Sequence, residues 1–413
     1  MPIVVQKFGG TSVADPERIQ RVADRIVRER EHGNDVVAVV SAMGHTTDEL
    51  VAMAESITSL PEPRELDMLL TAGERIAMAL LAIAINARGC RAASYTGSQA
   101  GIITDTQHGK ARIVEIRPRR IQDSLASGNV VILAGFQGLS TDYDITTLGR
   151  GGSDTTAVAM AAALGAEVCE IYTDVDGVST ADPRIVHRAR KLDRISYEEM
   201  LELSGAGAKV LQLRSVEYAR RTGQKIHVRS SFSDESGTWV VEEDEMEAME
   251  SALIRGVALD DTEAKVTLEE VPDRPGVAAA IFKAVAAEGI NVDMIVQNVS
   301  HEGRTDVSFT TERADVPRVE EVLTGIVEQT GALRWTTDPD IAKVSLVGAG
   351  MKSHPGVAAD MFDALAAEGV NIQMISTSSI RVSCVVRAED AERAVRAVHA
   401  RFGLEGAALG GEG

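Results

Sequence analysis

The stretch "PIVVQKFGGTSVADPERIQRVADRIVRER", residues 2–30, decides how the first half of the chain is read. PIVVQKF is a β-rich run, and PERIQRVADRIVRER sets Ile19, Val22 and Ile26 at helical spacing. Asp15, Pro16 and Glu17 between them form a helix start: a capping side chain, a proline in the first turn and an early acid. The pattern recurs. DVVAVVSAM (35–43), VVILAGF (130–136), EVCEIYTD (167–174) and KIHVRSS (225–231) read as further strands, and helices are predicted over 66–88, 153–164 and 196–221. Alternation of this kind predicts an α/β fold with a mainly parallel sheet covered by helices on both faces.

A chain of 413 residues exceeds one ordinary core, and about one domain per 100 to 200 residues suggests two to four. Hydrophobic residues at 44% and charged residues at 25% are globular proportions. The formal charge of −20 argues against a nucleic-acid partner, which would need a surplus of Lys and Arg on some face. Cys90, Cys169 and Cys384 lie far apart without a CxxC, so a reducing cytoplasm is expected. The N-terminus lacks the pattern of a signal peptide, and no run of about 18 apolar residues is apparent, so no membrane association is expected.

An acidic stretch, VVEEDEMEAMES (240–251), reads as a linker. Beyond it, PGVAAAIFKAVAAEGINVDMIVQNV (275–299) aligns without gaps to PGVAADMFDALAAEGVNIQMISTSS (355–379), with 14 of 25 positions identical. Each copy is preceded by a strand (KVTLEEV, KVSLVGA) and followed by another (TDVSFTT, IRVSCVV). Val277, Ile281, Phe282 and Val285 form one apolar stripe, mirrored by Val357, Met361, Phe362 and Leu365. Two small α+β modules are predicted. They could serve dimerisation alone. Alternatively, Asn291 and Asn371, each following a helix-ending glycine (Gly289, Gly369), could hydrogen-bond a zwitterion.

Several loops could carry chemistry. VVQKFGGTSV sets a lysine at a strand end before two glycines, where backbone amides can approach a phosphate, although the Walker spacing is absent. In LGRGGSDTTAVAMAAALGA (148–166), Arg150 could pair with a carboxylate or phosphate, while Asp154 would suit an ammonium group or a lysine. Asp154 could equally be a helix-entry acid stabilised by the dipole. Glu74 and Arg75 open a helix in TAGERIAMALL, and Ser41 ends a buried strand before Thr46 and Thr47. In open α/β sheets such strand ends hold ligands. IYTDVDGVSTADPR (171–184) supplies Asp174, Asp176, Asp182 and Arg184, without a calcium-loop spacing, and SGAGAKVLQLRSV supplies Lys209. With no GxSxG and no HExxH, phosphoryl transfer is favoured over hydrolysis.

KFGGTSV, SAMGHTTDEL, LLTAGERI, TTLGRGGSDTTA, YTDVDGV, ADPR and EYAR resemble the aspartate kinase family, in the same order and over the whole chain. The duplicated PGVAA…AAEGIN modules resemble its tandem ACT domains, as in the monofunctional members. The resemblance implies an amino-acid-kinase catalytic domain over 1–245, followed by ferredoxin-like ACT domains over 262–338 and 341–413. It implies transfer of the γ-phosphate of MgATP to the β-carboxylate of L-aspartate, the first step toward lysine, threonine, methionine and isoleucine. Carried over by motif, Lys7, Arg150 and Asp154 would be catalytic. Lys7, Phe8, Gly9, Gly10, Thr173, Asp174, Asp182, Arg184 and Lys209 would serve ATP. Ser41, Thr47, Glu74, Arg150, Gly151, Gly152, Ser153 and Asp154 would serve aspartate. Magnesium would be held through the nucleotide phosphates, with no direct protein ligand assigned.

The resemblance also implies feedback by lysine, threonine or both, at Asp273, Asn291, Asp293, Gln297 and Asn298 in one copy and Asn371 and Ile372 in the other. The copies differ at Asp293 against Gln373, Gln297 against Thr377 and Asn298 against Ser378, so equal binding by both is not expected. An internal start at Met246 or Met249 would give a short subunit in an α2β2 assembly; the alternative is a homodimer of full-length chains. Two rival readings differ in class: a kinase acting on glutamate or N-acetylglutamate, and an amino-acid sensor with an inactive kinase half. The ACT pair counts against the first, and intact Lys7, Arg150 and Asp154 count against the second.

Overall fold

Residues 2–30 fold as strand β1 (Ile3–Phe8), a 3-10 turn at Gly10–Val13 and helix α1 (Pro16–Glu31). Asp15 caps α1 by accepting from Arg18 N at 2.9 Å, and Ile19, Val22 and Ile26 are buried. The computed structural model describes residues 1–245, 253–298, 302–349, 351, 354 and 356–406. The chain forms two units. The first comprises Met1–Val178, Lys191–Ser204 and the described part of Lys209–Ala248; the second comprises Ser179–Arg190, Gly205–Ala208 and the described part of Met249–Gly413.

In the first unit the chain continues through β2 (Asp35–Val40), α2 (Thr46–Glu55), α3 (Pro63–Asn86), β3 (Ala92–Tyr95), β4 (Ile102–Thr104), β5 (Ile113–Ile116) and α4 (Arg119–Ala126). There follow β6 (Val130–Ala134), β7 (Gln137–Ser140), β8 (Ile145–Thr147), α5 (Gly152–Leu164), β9 (Val168–Thr173), β10 (Arg194–Ser196), α6 (Tyr197–Gly205), α7 (Leu213–Thr222), β11 (Ile226–Ser230) and β12 (Thr238–Val241). The main sheet runs β10-β12-β11-β9-β1-β2-β6-β3, parallel except between β11 and β12. One face carries α1 and α3, where Phe8, Val36, Ala38, Ile132 and Leu81 pack; α5 covers strands β1 and β9. Being buried on both faces, these strands read as continuous apolar runs.

Two expectations change. The helix predicted over 196–221 is two helices, α6 and α7, because the small residues Gly205, Ala206 and Gly207 end the first. The short strands β4, β5, β7 and β8 form a second sheet that the sequence reading did not separate. Helix α3 is long and apolar enough by composition to cross a membrane, which the sequence reading did not register. It is built as a core helix, with Leu70, Ala77, Leu81 and Ile85 buried.

The second unit contains both repeats. The first module is β14 (Glu263–Pro272), α8 (Val277–Ala287), β15 (Val296–Gln297), β16 (Arg304–Glu312), α9 (Val316–Thr330) and β17 (Arg334–Asp338), preceded in sequence by β13 (Leu253–Asp260). The second is β18 (Ile341–Ala349), α10 (Val357–Ala367), β19 (Met374–Thr377), β20 (Arg381–Arg387) and α11 (Ala391–Arg401). Both sheets are antiparallel, ordered β15-β16-β14-β17 and β13-β18-β20-β19. Because β13 pairs with β18, the first module is an insertion within the second. The apolar stripes of α8 and α10 face their own sheets, with Ile281 beside Phe309 in one core and Met361 beside Leu346 in the other.

Candidate active site

Parallel strands β1, β2, β6, β9 and β11 bring their C-terminal ends to one edge of the sheet, the place where such sheets hold ligands. Alternation along β1 sends Phe8 into the α1 face, stacked on Tyr172 at 4.9 Å, and Lys7 to the opposite face, toward α5. There Lys7 Nζ lies 2.6 Å from Asp154 Oδ1 in the first turn of α5, with side chains only 12% and 8% exposed. Asp154 Oδ1 has no aligned hydrogen-bond donor, so the contact is a charge pair.

The glycines beside Lys7 have separate reasons. A Cβ on Gly10 would stand 2.8 Å from the Ala42 carbonyl, so Gly10 lets the turn after β1 lie against the turn after β2; Gly44 N donates to its carbonyl at 3.0 Å. A Cβ on Gly9 would meet Lys7 Nζ at 3.5 Å, so Gly9 keeps the space beside the ammonium clear. Phe8 contributes only backbone here: its side chain is buried and its carbonyl accepts from Ser41 N at 3.1 Å.

Glu74 is 3% exposed on α3. Its Oε1 accepts from Ala42 N at 3.3 Å and its Oε2 has no partner, and burial pushes its carboxyl up to about 7. It therefore stands beside the Ser41 end of β2. Thr47 is half-buried in the first turn of α2.

The loop 148–152 is fixed by left-handed glycines, Gly149 (φ 75°) and Gly151 (φ 68°), and leads directly into α5. Ser153 and Asp154 are buried, whereas Arg150 stands exposed at the loop tip. A Cβ on Gly135 would fall 2.7 Å from Ser153 Oγ, so that glycine allows the start of α5 to sit against the end of β6. At the end of β9, Thr173 is half-buried and Asp174 exposed, joined by a 3.1 Å hydrogen bond. Lys209 is exposed in the turn between α6 and α7, three residues before Gln212, which touches Gly151.

On the other face of β1 and β9, Glu170 is held by Gln6 Nε2 at 2.8 Å, Tyr172 Oη at 3.0 Å and Arg229 Nη1 at 3.2 Å. Burial alone would raise the Glu170 carboxyl; the His227 ring, with Nδ1 at 3.8 Å, and these donors outweigh it and hold it at about 2. The network ties together three adjacent strands, β1, β9 and β11.

Asp182 and Arg184 belong to the second unit, with Arg184 Nη2 2.6 Å from Asp182 Oδ2. Their segment is built into the second module: Ala181 and Val186 join its core, Thr180 Oγ1 lies 2.9 Å from His399 Nε2, and Val257 N donates to the Thr180 carbonyl at 2.7 Å. The sequence reading assigned this loop to the catalytic half and missed Thr180 and His399.

Among the effector candidates, Asp273, Asn291, Gln297, Asn298 and Asn371 are exposed. The Asn291 carbonyl accepts from Thr311 Oγ1 and that of Asn298 from Thr305 Oγ1, both at 2.8 Å. Ile372 packs on the second module's core. Asp293 Oδ2 lies 2.7 Å from Lys343 Nζ, a residue the sequence reading passed over. Its signal was present, since both repeat strands begin with lysine, Lys265 and Lys343. Met246 and Met249 lie outside the described residues.

Among the described residues, no three His, Cys, Asp or Glu side chains are grouped to hold a metal. The donors at the strand ends, an ammonium, glycine amides and a threonine hydroxyl, suit phosphate oxygens, and the loop opposite offers a guanidinium for a carboxylate.

Comparison with known proteins agrees with that chemistry. Residues 2–230 match the amino acid kinase family, and residues 266–328 and 344–402 each match the ACT domain. The aspartokinase of Mycobacterium tuberculosis is 58% identical, covering 98% of this chain and 97% of its own, and that of Corynebacterium glutamicum is 53% identical over the same shares. The crystal structure of E. coli aspartokinase III in complex with aspartate and ADP superposes with a TM-score of 0.83 at 29% identity, covering 97% of this chain and 99% of that one. Its complex with lysine and aspartate gives 0.71 at 28%, covering 96% and 99%. Sequence, domain order and fold agree: the chain belongs to the aspartokinases, enzymes built from an amino acid kinase domain and two ACT domains.

Proposed function

We propose that the chain transfers the γ-phosphate of MgATP to the β-carboxylate of L-aspartate, giving 4-phospho-L-aspartate and ADP. The observation that carries this is the Lys7–Asp154 pair, which joins the end of β1, just before the glycine turn, to the first turn of α5, just after the loop holding Arg150. A carboxylate oxygen attacks the γ-phosphorus, and the bond to the β-phosphate oxygen breaks with its electron pair leaving on ADP. The acceptor is already an anion, so no general base is needed. Catalysis is then positioning and charge neutralisation. Lys7 stabilises the transferring phosphoryl group, and Asp154 orients Lys7. Arg150 holds a substrate carboxylate, with Gly151, Gly152 and Ser153 allowing close approach. Ser41, Thr47 and Glu74 take the rest of the amino acid. Phe8, Gly9 and Gly10 through their backbone, with Thr173, Asp174 and Lys209, serve ATP; Asp182 and Arg184 carry the same assignment by motif. Magnesium would be held through the nucleotide phosphates, with no direct protein ligand assigned, and would supply further charge neutralisation.

The E. coli relative crystallised with aspartate and ADP supports this substrate pair, and its complex with lysine supports lysine as an effector; we assign feedback by lysine, threonine or both to the ACT modules. The three cysteines are free thiols, in keeping with a cytoplasmic enzyme acting early in lysine, threonine and methionine synthesis. For assembly we propose a homodimer, or an α2β2 arrangement with a short subunit started near Met246 or Met249; a single band near 43.9 kDa from the untagged gene would exclude the latter. The deciding test incubates the protein with MgATP and L-aspartate and traps the acyl phosphate with hydroxylamine. Hydroxamate should form with aspartate and diminish with lysine or threonine. Product with glutamate and none with aspartate would overturn the assignment.

A further inference from the structure

Asp67 lies two turns before Glu74 on the same buried face of α3 and is 1% exposed. Its carboxylate accepts four hydrogen bonds from three donors: Thr147 Oγ1 at 2.5 Å, His108 Nδ1 at 2.7 Å, and Gly109 N, shared at 3.1 Å to one oxygen and 3.2 Å to the other. These come from two segments far apart in sequence. Thr147 ends β8 and is the residue before the loop 148–152, and His108–Gly109 belong to the turn between β4 and β5.

The same two segments are tied a second time by a group of opposite charge. Arg214 donates from Nη1 to the Leu148 carbonyl at 2.6 Å and from Nη2 to the Ala111 carbonyl at 3.0 Å. Ala111 N in turn donates to the Thr147 carbonyl at 2.9 Å, and a Cβ on Gly149 would stand 3.0 Å from the Gly109 carbonyl. A buried carboxylate is a costly way to hold two loops when apolar contact would suffice for packing, but it prescribes donor positions that packing alone does not. Helix α3 thus reaches both halves of the proposed aspartate site: Glu74 touches the backbone after Ser41, and Asp67 fixes the entry to Arg150.

We infer that Asp67 is a positioning residue for substrate binding, setting through Thr147, His108 and Gly109 the position of the loop that carries Arg150. The inference rests on the proposed use of that loop for aspartate. Asp67 touches no reacting atom. Disturbing it should therefore weaken capture of the amino acid while leaving the nucleotide side and the transfer step largely intact.

The test compares Asp67→Asn, Thr147→Val and the conservative Thr147→Ser in the full-length enzyme by steady-state kinetics and by amide hydrogen exchange of the free protein. Asp67→Asn and Thr147→Val should each raise KM for aspartate roughly tenfold, with KM for MgATP and kcat changed by less than about threefold. Thr147→Ser, which keeps the hydroxyl, should restore KM to near the wild-type value. Amides of 108–111 and 147–152 should exchange faster in Asp67→Asn than in wild type. Parallel rises in both KM values, or an unchanged KM for aspartate, would overturn the inference, as would unchanged exchange. If Asp67→Asn does not fold, the Thr147 pair decides by the same criteria. A wild-type enzyme inactive on aspartate would instead count against the proposed reaction, and the exchange measurement would still decide whether Asp67 orders the loop.

Discussion

Lys343 on β18 is fully buried and donates to Asp293 of the inserted module at 2.7 Å, and Lys265 on β14 repeats the relation in the opposite direction, donating to Gln373 at 2.6 Å. Lysines and acceptors occupy matching places in the two repeats, so the modules exchange one side chain each. The exchange is unequal. Lys343 also meets Glu263 at 2.6 Å and Asp260 at 3.7 Å. Burial alone would lower the Lys343 ammonium, but Glu263 and Asp293 outweigh it and raise it; burial alone would raise the Asp293 carboxyl, but Lys343 holds it down.

Lys343→Met should therefore leave Glu263 and Asp293 without their cation. We expect a loss of about 3 kcal/mol in denaturant unfolding of the second unit. Lys265→Met removes one hydrogen bond from an ammonium to a neutral amide oxygen and leaves no carboxylate without its cation, so it should cost less, about 1.5 kcal/mol. Adding Glu263→Leu to Lys343→Met should recover part of the loss. Equal costs for the two lysines would contradict the asymmetry.

Where the sequence was legible, local physics explains why. Runs such as VVAVV and VVILA are buried on both faces of a parallel sheet, and Asp15-Pro16-Glu17 is a self-contained helix start. The duplicated modules were legible because each copy carries its own stripe and glycine stop. The strands of the second sheet are three or four residues long and partly polar, too short to show a period. No pattern at position 253 announces that β13 crosses to the second module. The Lys7–Asp154 encounter could be named only through resemblance, because 147 positions separate the two. Asp67 and Thr147, 80 positions apart, left no signal at all. Glu74 reads as a helix-opening charge in TAGERIAMALL although the helix predicted over 66–88 already encloses it; α3, from Pro63 to Asn86, holds it mid-helix and buried.

Lys7→Ala should lower kcat at least 10²-fold with little change in KM for aspartate, since the ammonium is needed where charge moves in the transition state. Asp154→Asn should lower kcat less, because it removes the orienting charge but keeps the lysine. Single-turnover rates with saturating MgATP measure both. An Asp154→Asn loss exceeding that of Lys7→Ala would mean that Asp154 acts directly on the reacting groups.

Glu74 gives a pH signature. With its carboxyl at about 7, the ionised form that can hold a substrate ammonium grows between pH 6 and 8, so KM for aspartate should fall across that interval. Glu74→Gln should raise KM and flatten the profile. Stability moves oppositely: the folded value lies above the unfolded value of 4.5, so the contribution is fully present below about 4.5 and is lost as pH rises through 7. At pH 8 Glu74→Gln should be the more stable protein, by up to about 3 kcal/mol.

Gly151 and Gly165 bound the same helix with nearly the same left-handed backbone, φ 68° and 64°, in different surroundings. A Cβ on Gly165 meets nothing within 4 Å, so Gly165→Ala bears only the conformational penalty, about 1 kcal/mol, and should leave kinetics unchanged. A Cβ on Gly151 would lie 1.8 Å from Gln212 Cγ and 2.5 Å from its Cβ. Rotating the Gln212 side chain would move Cγ but not Cβ, whose backbone is held by the carbonyl accepting from Ser215 N at 3.0 Å and from Ser215 Oγ at 2.6 Å at the start of α7. The strain must then move the loop carrying Arg150. Gly151→Ala should raise KM for aspartate tenfold or more, and Gly151→Ala with Gln212→Gly should recover most of it while retaining the backbone penalty. If the double variant binds aspartate no better than Gly151→Ala, the glycine is required for φ alone, and contact with Gln212 does not set the loop.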